Sequence, residues 1–190
     1  MKAVRTFGLA LAVLAVAGIV HAAELKSGPQ VGEDVGAFEV TKVAGAPNDD
    51  VPAGEELCYR CKLGNRPVVM VFARKSDEQL ANLVKELDKV VAKNSDKKMG
   101  SFVNLLGDDM TALKSEAKKL AEKSKPENVA VVIPADHKEG PSNYSINPDA
   151  DVTVLIYKGG KVEANHALPA GKLSKTEVAK IIEDTSKILK

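Results

Sequence analysis

Cys58 and Cys61 are the only two cysteines in a chain of 190 residues, and both stand in the stretch Glu56-Leu57-Cys58-Tyr59-Arg60-Cys61-Lys62. An i, i+3 spacing lets two sulfurs meet across one turn. The pair can then close a disulfide, exchange it with another thiol, or offer two ligands to a metal. Arg60 and Lys62 flank the thiols and favour the thiolate, the form that attacks a disulfide. Three readings therefore stand side by side: a redox pair with Cys58 and Cys61 as its catalytic residues, a structural disulfide pinning a loop, and a metal clip. The metal reading lacks a second Cys-x-x-Cys, and His137 and His166 would have to complete a Cys2His2 set through the fold. Neither of the other two readings calls for a cofactor or a metal.

The compartment decides how such cysteines behave. Lys2 and Arg5 precede an apolar run of thirteen residues, Gly8 to Val20, and Val20-His21-Ala22 follows. A membrane-spanning helix needs about 20 apolar residues, so this pattern predicts a secretory signal peptide over 1–22, cleaved near Ala22. The expected chain is periplasmic or secreted, with no membrane association after cleavage, in a compartment where disulfides persist. About 168 residues remain, enough for one domain with a real core. Removing Lys2 and Arg5 from 27 basic residues leaves 25 against 26 acidic ones. That balance, with no basic block interleaved with aromatics, gives no electrostatic case for nucleic acid. Nothing in the pattern specifies an oligomeric state.

The elements that must position the pair follow from periodicity. Residues 23–34 read as an N-terminal extension, and Ala37–Val40 as a first short strand. The segment from Gly45 to Gly64 reads as a long loop holding both cysteines. Pro67–Ala73, PVVMVFA, is a continuous apolar run that suits a strand buried on both faces. Ser76 followed by Gln79 predicts a capping box at the start of a helix whose Leu80, Leu83, Val84, Leu87, Val90 and Val91 share one face. A strand over Met99–Leu106, a helix over Met110–Lys123 opened by Asp108-Asp109, and a strand over Asn128–Ile133 come next. Val152–Tyr157 and Lys161–His166 predict a hairpin turning at Gly159-Gly160. Ser174 with Glu177 opens a last helix. In this order, Tyr144 is expected to pack its loop and His166 to be a half-buried, hydrogen-bonded histidine.

Strand–helix–strand crossovers imply parallel neighbours, and the hairpin adds an antiparallel pair. RPVVMVFAR resembles the central strand leading into the active site of thioredoxins and peroxiredoxin-like proteins. DVTVLIYKGGKVEANHAL resembles their later hairpin. GPQVGEDVGAFEVTKVAG resembles the opening of the peroxiredoxin-like branch. The resemblance spans roughly Val35 to Leu189. It implies an α/β domain over 35–190: a thioredoxin-like mixed β-sheet flanked by helices on both faces. It also implies thiol–disulfide oxidoreductase activity on protein thiols or disulfides.

The resemblance further implies a reactive cysteine just after the central strand, at the start of the next helix, and a cis-proline before the hairpin. Here those places hold Arg74–Gln79, with Ser76 nearest the expected nucleophile, and Val152. Ser76 is read as a helix cap. The Cys58–Cys61 pair precedes the central strand and is expected at its N-terminal end. In the redox reading family habit makes Cys58 the attacking sulfur and Cys61 the resolving one. The alternative is a non-catalytic binding or scaffold module whose Cys58–Cys61 bridge only fixes a loop.

Overall fold

The computed structural model describes residues 25–190, so the expected signal peptide lies outside the described residues. Seven strands form one sheet in the order β2-β1-β5-β4-β3-β6-β7. They are β1 (Val40–Gly45), β2 (Glu56–Leu57), β3 (Val68–Ala73), β4 (Gly100–Leu105), β5 (Val129–Pro134), β6 (Ala150–Lys158) and β7 (Lys161–Pro169). Among the described residues four α-helices accompany them: α1 (Tyr59–Leu63), α2 (Glu78–Lys93), α3 (Met110–Ser124) and α4 (Lys175–Asp184). β3, β4 and β5 run parallel, while β1, β6 and β7 pair antiparallel to their neighbours.

β3 is an interior strand between β4 and β6, and every one of its residues is buried. Its side chains alternate between two cores. Val69, Val71 and Ala73 face α2, α3 and α4, meeting Leu80, Leu83, Leu87, Leu120 and Ile181. Two successive crossovers that step the same way across a sheet, each right-handed, put their helices on one face, as α2 and α3 are here. Val68, Met70 and Phe72 face the other way, toward Phe38, Tyr59, Phe102, Tyr144 and Tyr157. That second face is covered by α1, by the segment before β1 and by the loop between β5 and β6. Tyr144 closes it, with its ring 5.0 Å from Phe38 and its hydroxyl donating to the Gly36 carbonyl at 2.7 Å.

Residues 25–35 run along the outer edge of β7. Gly32 N–H donates to Val162 O at 2.9 Å, Val162 N–H to Glu33 O at 3.0 Å, and Asn165 Nδ2 to the carbonyls of Ser27 and Pro29. This pairing occupies backbone groups that an open edge would leave for another chain.

Two expectations shift. The first strand begins at Val40 rather than ending there, because Lys42 belongs to it. Lys42 is only 3% exposed, and its Nζ is held by Ala46 O, Asp49 Oδ1 and Val51 O at 2.5 to 2.8 Å. A charged residue with three acceptors is compatible with a strand interior that the residue type alone argues against. The long loop from Gly45 to Gly64 also contains structure: β2 pairs with β1, and α1 carries the cysteines.

Candidate functional site

Cys58 and Cys61 are joined by a disulfide, with their Cα atoms 5.2 Å apart. Cys58 is the N-cap of α1, with extended backbone (φ −101°, ψ 98°), and its Sγ accepts the Cys61 N–H at 3.1 Å. The helix closes at Gly64, whose positive φ of 57° would strain a side-chain-bearing residue and whose N–H reaches Arg60 O at 3.1 Å.

Three side chains anchor this single turn. Tyr59 is buried, stacks on Phe102 at 5.4 Å, and donates its hydroxyl to Asp49, the carboxylate that also holds Lys42. Burial first, and then the Asp49 hydrogen bond, push the Tyr59 phenol well above its ordinary pKa, so it remains a donor. Arg60 Nε donates to Val35 O at 3.0 Å, and its guanidinium lies where a Cβ on Gly160 would come within 2.5 Å. Leu63 covers Gly100, where an added Cβ would be 2.7 Å from the leucine side chain. Tyr59, Arg60 and Leu63 therefore face the protein, while Cys61 and Lys62 are exposed and Cys58 is half-buried. Arg60, expected beside the thiols, is committed to Val35. The Cys61 N–H is the group seen to favour a thiolate at Cys58. One flank of α1 borders an open cleft of about 410 Å³ that includes Asp49, Lys62, Leu63, Arg66, Met99 and Asn128.

The pair sits at the N-terminal end of β3, as expected from its place in the sequence. β4 starts at the same end, with Gly100 N–H donating to Pro67 O at 3.0 Å, and the β6–β7 turn returns there, with Gly159 N–H donating to Asn65 O at 3.3 Å. Ser76 and Val152 lie at the other end, where Ala73 pairs with Val152. A six-residue strand separates them by about 20 Å.

That far end is built without a thiol. Arg74 N–H donates to Asp151 O at 2.8 Å, and Lys75 pairs with Asp151 at 2.9 Å. Val152 continues β6, and there is no cis peptide bond among the described residues. Ser76 is not the cap of α2. Asp77 is, accepting the Leu80 N–H at 2.9 Å, and the Ser76 hydroxyl points instead to Glu116 O at 3.5 Å. Asp77 has the extended backbone of an N-cap (φ −93°, ψ −175°), so its side chain rather than that of Ser76 reaches the free amide at the helix start.

The remaining residues singled out in the sequence have structural partners. Asp109 caps α3 through the Ala112 N–H, and Ser174 caps α4 through the Glu177 N–H. His137 Nδ1 meets Gly107 O at 2.7 Å, at the end of the sheet away from α1. His166 Nε2 meets Asp184 at 3.1 Å beneath α4. The structure brings neither histidine to the sulfurs, and no group of three or more metal-ligating side chains occurs among the described residues. Sequence reasoning missed Lys42 and Asp49 behind Tyr59. The available signal was the alternation of β1, which places Lys42 on the same face as Val40.

This architecture is the thioredoxin-like fold: a mixed α/β sheet with helices on both faces and a Cys-x-x-Cys closed as a disulfide. Among solved structures, a candidate protein disulfide isomerase from Bacteroides thetaiotaomicron matches with a TM-score of 0.62 at 12% identity, covering 87% of this chain and 94% of that one. A candidate thiol:disulfide interchange protein DsbE from Chlorobium tepidum matches with a TM-score of 0.56 at 15% identity, over 82% and 98%. The 2-Cys peroxiredoxin of Plasmodium vivax matches with a TM-score of 0.55 at 16% identity, over 82% and 81%. No protein-family model matches the sequence, and no curated protein does.

Proposed function

We propose that the chain is an exported thiol–disulfide oxidoreductase in which Cys58 and Cys61 exchange with protein thiols or disulfides. The observation that carries this reading is a disulfide with one exposed and one half-buried cysteine on a helix already held by other contacts. Tyr59, Arg60 and Leu63 fix α1 to Asp49, Val35 and Gly100, so the bridge has little left to hold in place. Accessible sulfur, a thiolate-stabilising N–H and a preformed turn are what exchange requires. The fold is shared with proteins described as disulfide exchangers, which agrees with this chemistry.

Export rests on the charged start, the apolar run and Val20-His21-Ala22, with the thioredoxin-like domain over 35–190 following the leader and extension. No helix among the described residues is long and apolar enough to cross a membrane.

The place of the pair favours a second reading, a non-catalytic binding or scaffold module with a structural bridge. The sulfurs sit at the end of β3 opposite Ser76, where the family resemblance puts the reactive centre. The reduction potential separates the two. A value in the range of exchange proteins, about −120 to −270 mV, with turnover in dithiol-coupled insulin reduction that Cys58→Ser/Cys61→Ser abolishes, supports redox work. A value below about −300 mV with no turnover overturns it in favour of the structural bridge.

A further inference from the structure

We propose that Cys61, the second cysteine of the pair, is the sulfur that joins the substrate, and that Cys58 is the leaving and resolving thiolate. This inference rests on the redox reading above and reverses the roles that the family resemblance implies.

Two observations converge on it. Cys61 is exposed on the outer side of α1, while Cys58 is half-buried between β2 and the buried Tyr59. An incoming thiolate must approach along the S–S axis, so the sulfur on the more exposed residue is the one it reaches more readily. The second observation is the hydrogen bond. Cys58 Sγ accepts the Cys61 N–H at 3.1 Å, whereas Cys61 Sγ accepts none among the described residues. A hydrogen bond to sulfur stabilises negative charge there, and a better-stabilised thiolate leaves faster. Accessibility selects Cys61 as the sulfur attacked, and electrostatics selects Cys58 as the sulfur released.

In the oxidising direction a thiolate of a reduced protein dithiol attacks Cys61 Sγ. A bond forms between the substrate sulfur and Cys61, the Cys58–Cys61 bond breaks, and the electron pair goes to Cys58 as thiolate. The second substrate thiolate then attacks the first substrate sulfur. This forms the substrate disulfide and releases Cys61 as a thiolate, which takes a proton from water. The substrate loses two electrons and the cysteine pair gains them. By microscopic reversibility, in the reducing direction Cys61 attacks the substrate disulfide and Cys58 resolves the mixed disulfide.

The test compares two single variants of the exported chain, Cys58→Ser and Cys61→Ser, each with one thiol and neither able to form the bridge. Oxidised glutathione is the probe, at a pH high enough to ionise both thiols, so that the rates read access rather than acidity. The thiol left in Cys58→Ser, which is Cys61, should form its mixed disulfide at least about fivefold faster than the thiol left in Cys61→Ser. A smaller or inverted ratio overturns the proposal. In parallel, the wild-type disulfide is opened with reduced glutathione and quenched in acid. Cleavage after Arg60 then puts the two cysteines on separate peptides, and glutathione should be found on Cys61. Glutathione on Cys58, or shared equally, overturns the assignment while leaving the redox reading intact. Absence of wild-type turnover with protein dithiols removes the redox reading itself.

Discussion

The Tyr59 hydroxyl donates to Asp49, so the residue inside the Cys-x-x-Cys is tied to a carboxylate ten positions earlier that also neutralises buried Lys42. The cysteine turn thus rests on a buried charge pair rather than on apolar packing alone. Removing the Tyr59 hydroxyl leaves that pair in place, so Tyr59→Phe should cost about 1.5–3 kcal/mol, as for a hydrogen bond to a charged group. Asp49→Ala should cost more, about 3–5 kcal/mol, because it strands the Lys42 ammonium without a counter-charge. Denaturant unfolding of both variants checks the order. Equal costs would mean that Lys42 finds another partner.

The start of α2 offers a cleaner comparison between adjacent residues. Asp77→Ala removes the side chain that accepts the Leu80 N–H and should cost about 1 kcal/mol. Ser76→Ala should stay within about 0.5 kcal/mol, since its hydroxyl makes only a long contact to Glu116 O. Thermal or chemical melts of the two variants decide it, and a larger loss for Ser76→Ala would contradict the capping seen here.

These residues also show what could be read from the sequence. The strand PVVMVFA, the helix faces of α2 and α4 and the Gly159-Gly160 hairpin were legible because apolar periodicity is set by which face is buried. The cysteine pair's place at the start of β3 followed from chain order. For Lys42 alternation could give the face it shares with Val40 but not its burial, because its partners Asp49 and Val51 arrive through a loop whose path no periodicity encodes. Ser76 and Asp77 are both good caps by type, and only backbone geometry separates them. Nor could the spacing show that Arg60 donates to Val35 O, since that depends on a segment folding back over α1.

His166 gives the fold a pH dependence. Burial lowers its pKa from the ordinary 6.5, a shift that the nearby Asp184 carboxylate opposes without cancelling. At neutral pH and above the folded imidazole is therefore neutral, and Asp184, an acceptor, calls for the tautomer with its proton on Nε2. Between the folded pKa and about 6.5 the unfolded chain binds more protons than the folded one, so stability rises with pH across that window. Stability should accordingly begin to fall as pH drops below about 6.5 and continue falling until the folded histidine is protonated. His166→Gln keeps a hydrogen-bonding side chain without the titration. Comparing unfolding free energies of the two proteins at several pH values checks this, and the variant should show a shallower acid slope.

The bridge itself should matter little to stability. Cys58 and Cys61 are three positions apart, and closing so small a ring contributes about 2 kcal/mol at most through the entropy of the unfolded chain. Without it, Tyr59 still reaches Asp49, Arg60 still reaches Val35 O, and Leu63 still fills the space over Gly100. Serine at position 58 can also accept the N–H at position 61, preserving the cap. Cys58→Ser/Cys61→Ser should therefore fold with a loss no greater than about 2 kcal/mol relative to the oxidised protein. Its Lys62 and Gly64 amides, which donate to Cys58 O and Arg60 O in the native turn, should keep their protection from hydrogen exchange. A loss well above about 4 kcal/mol, or exchange of those two amides at the rate of an open loop, would show that the disulfide holds α1 together and that its role is structural.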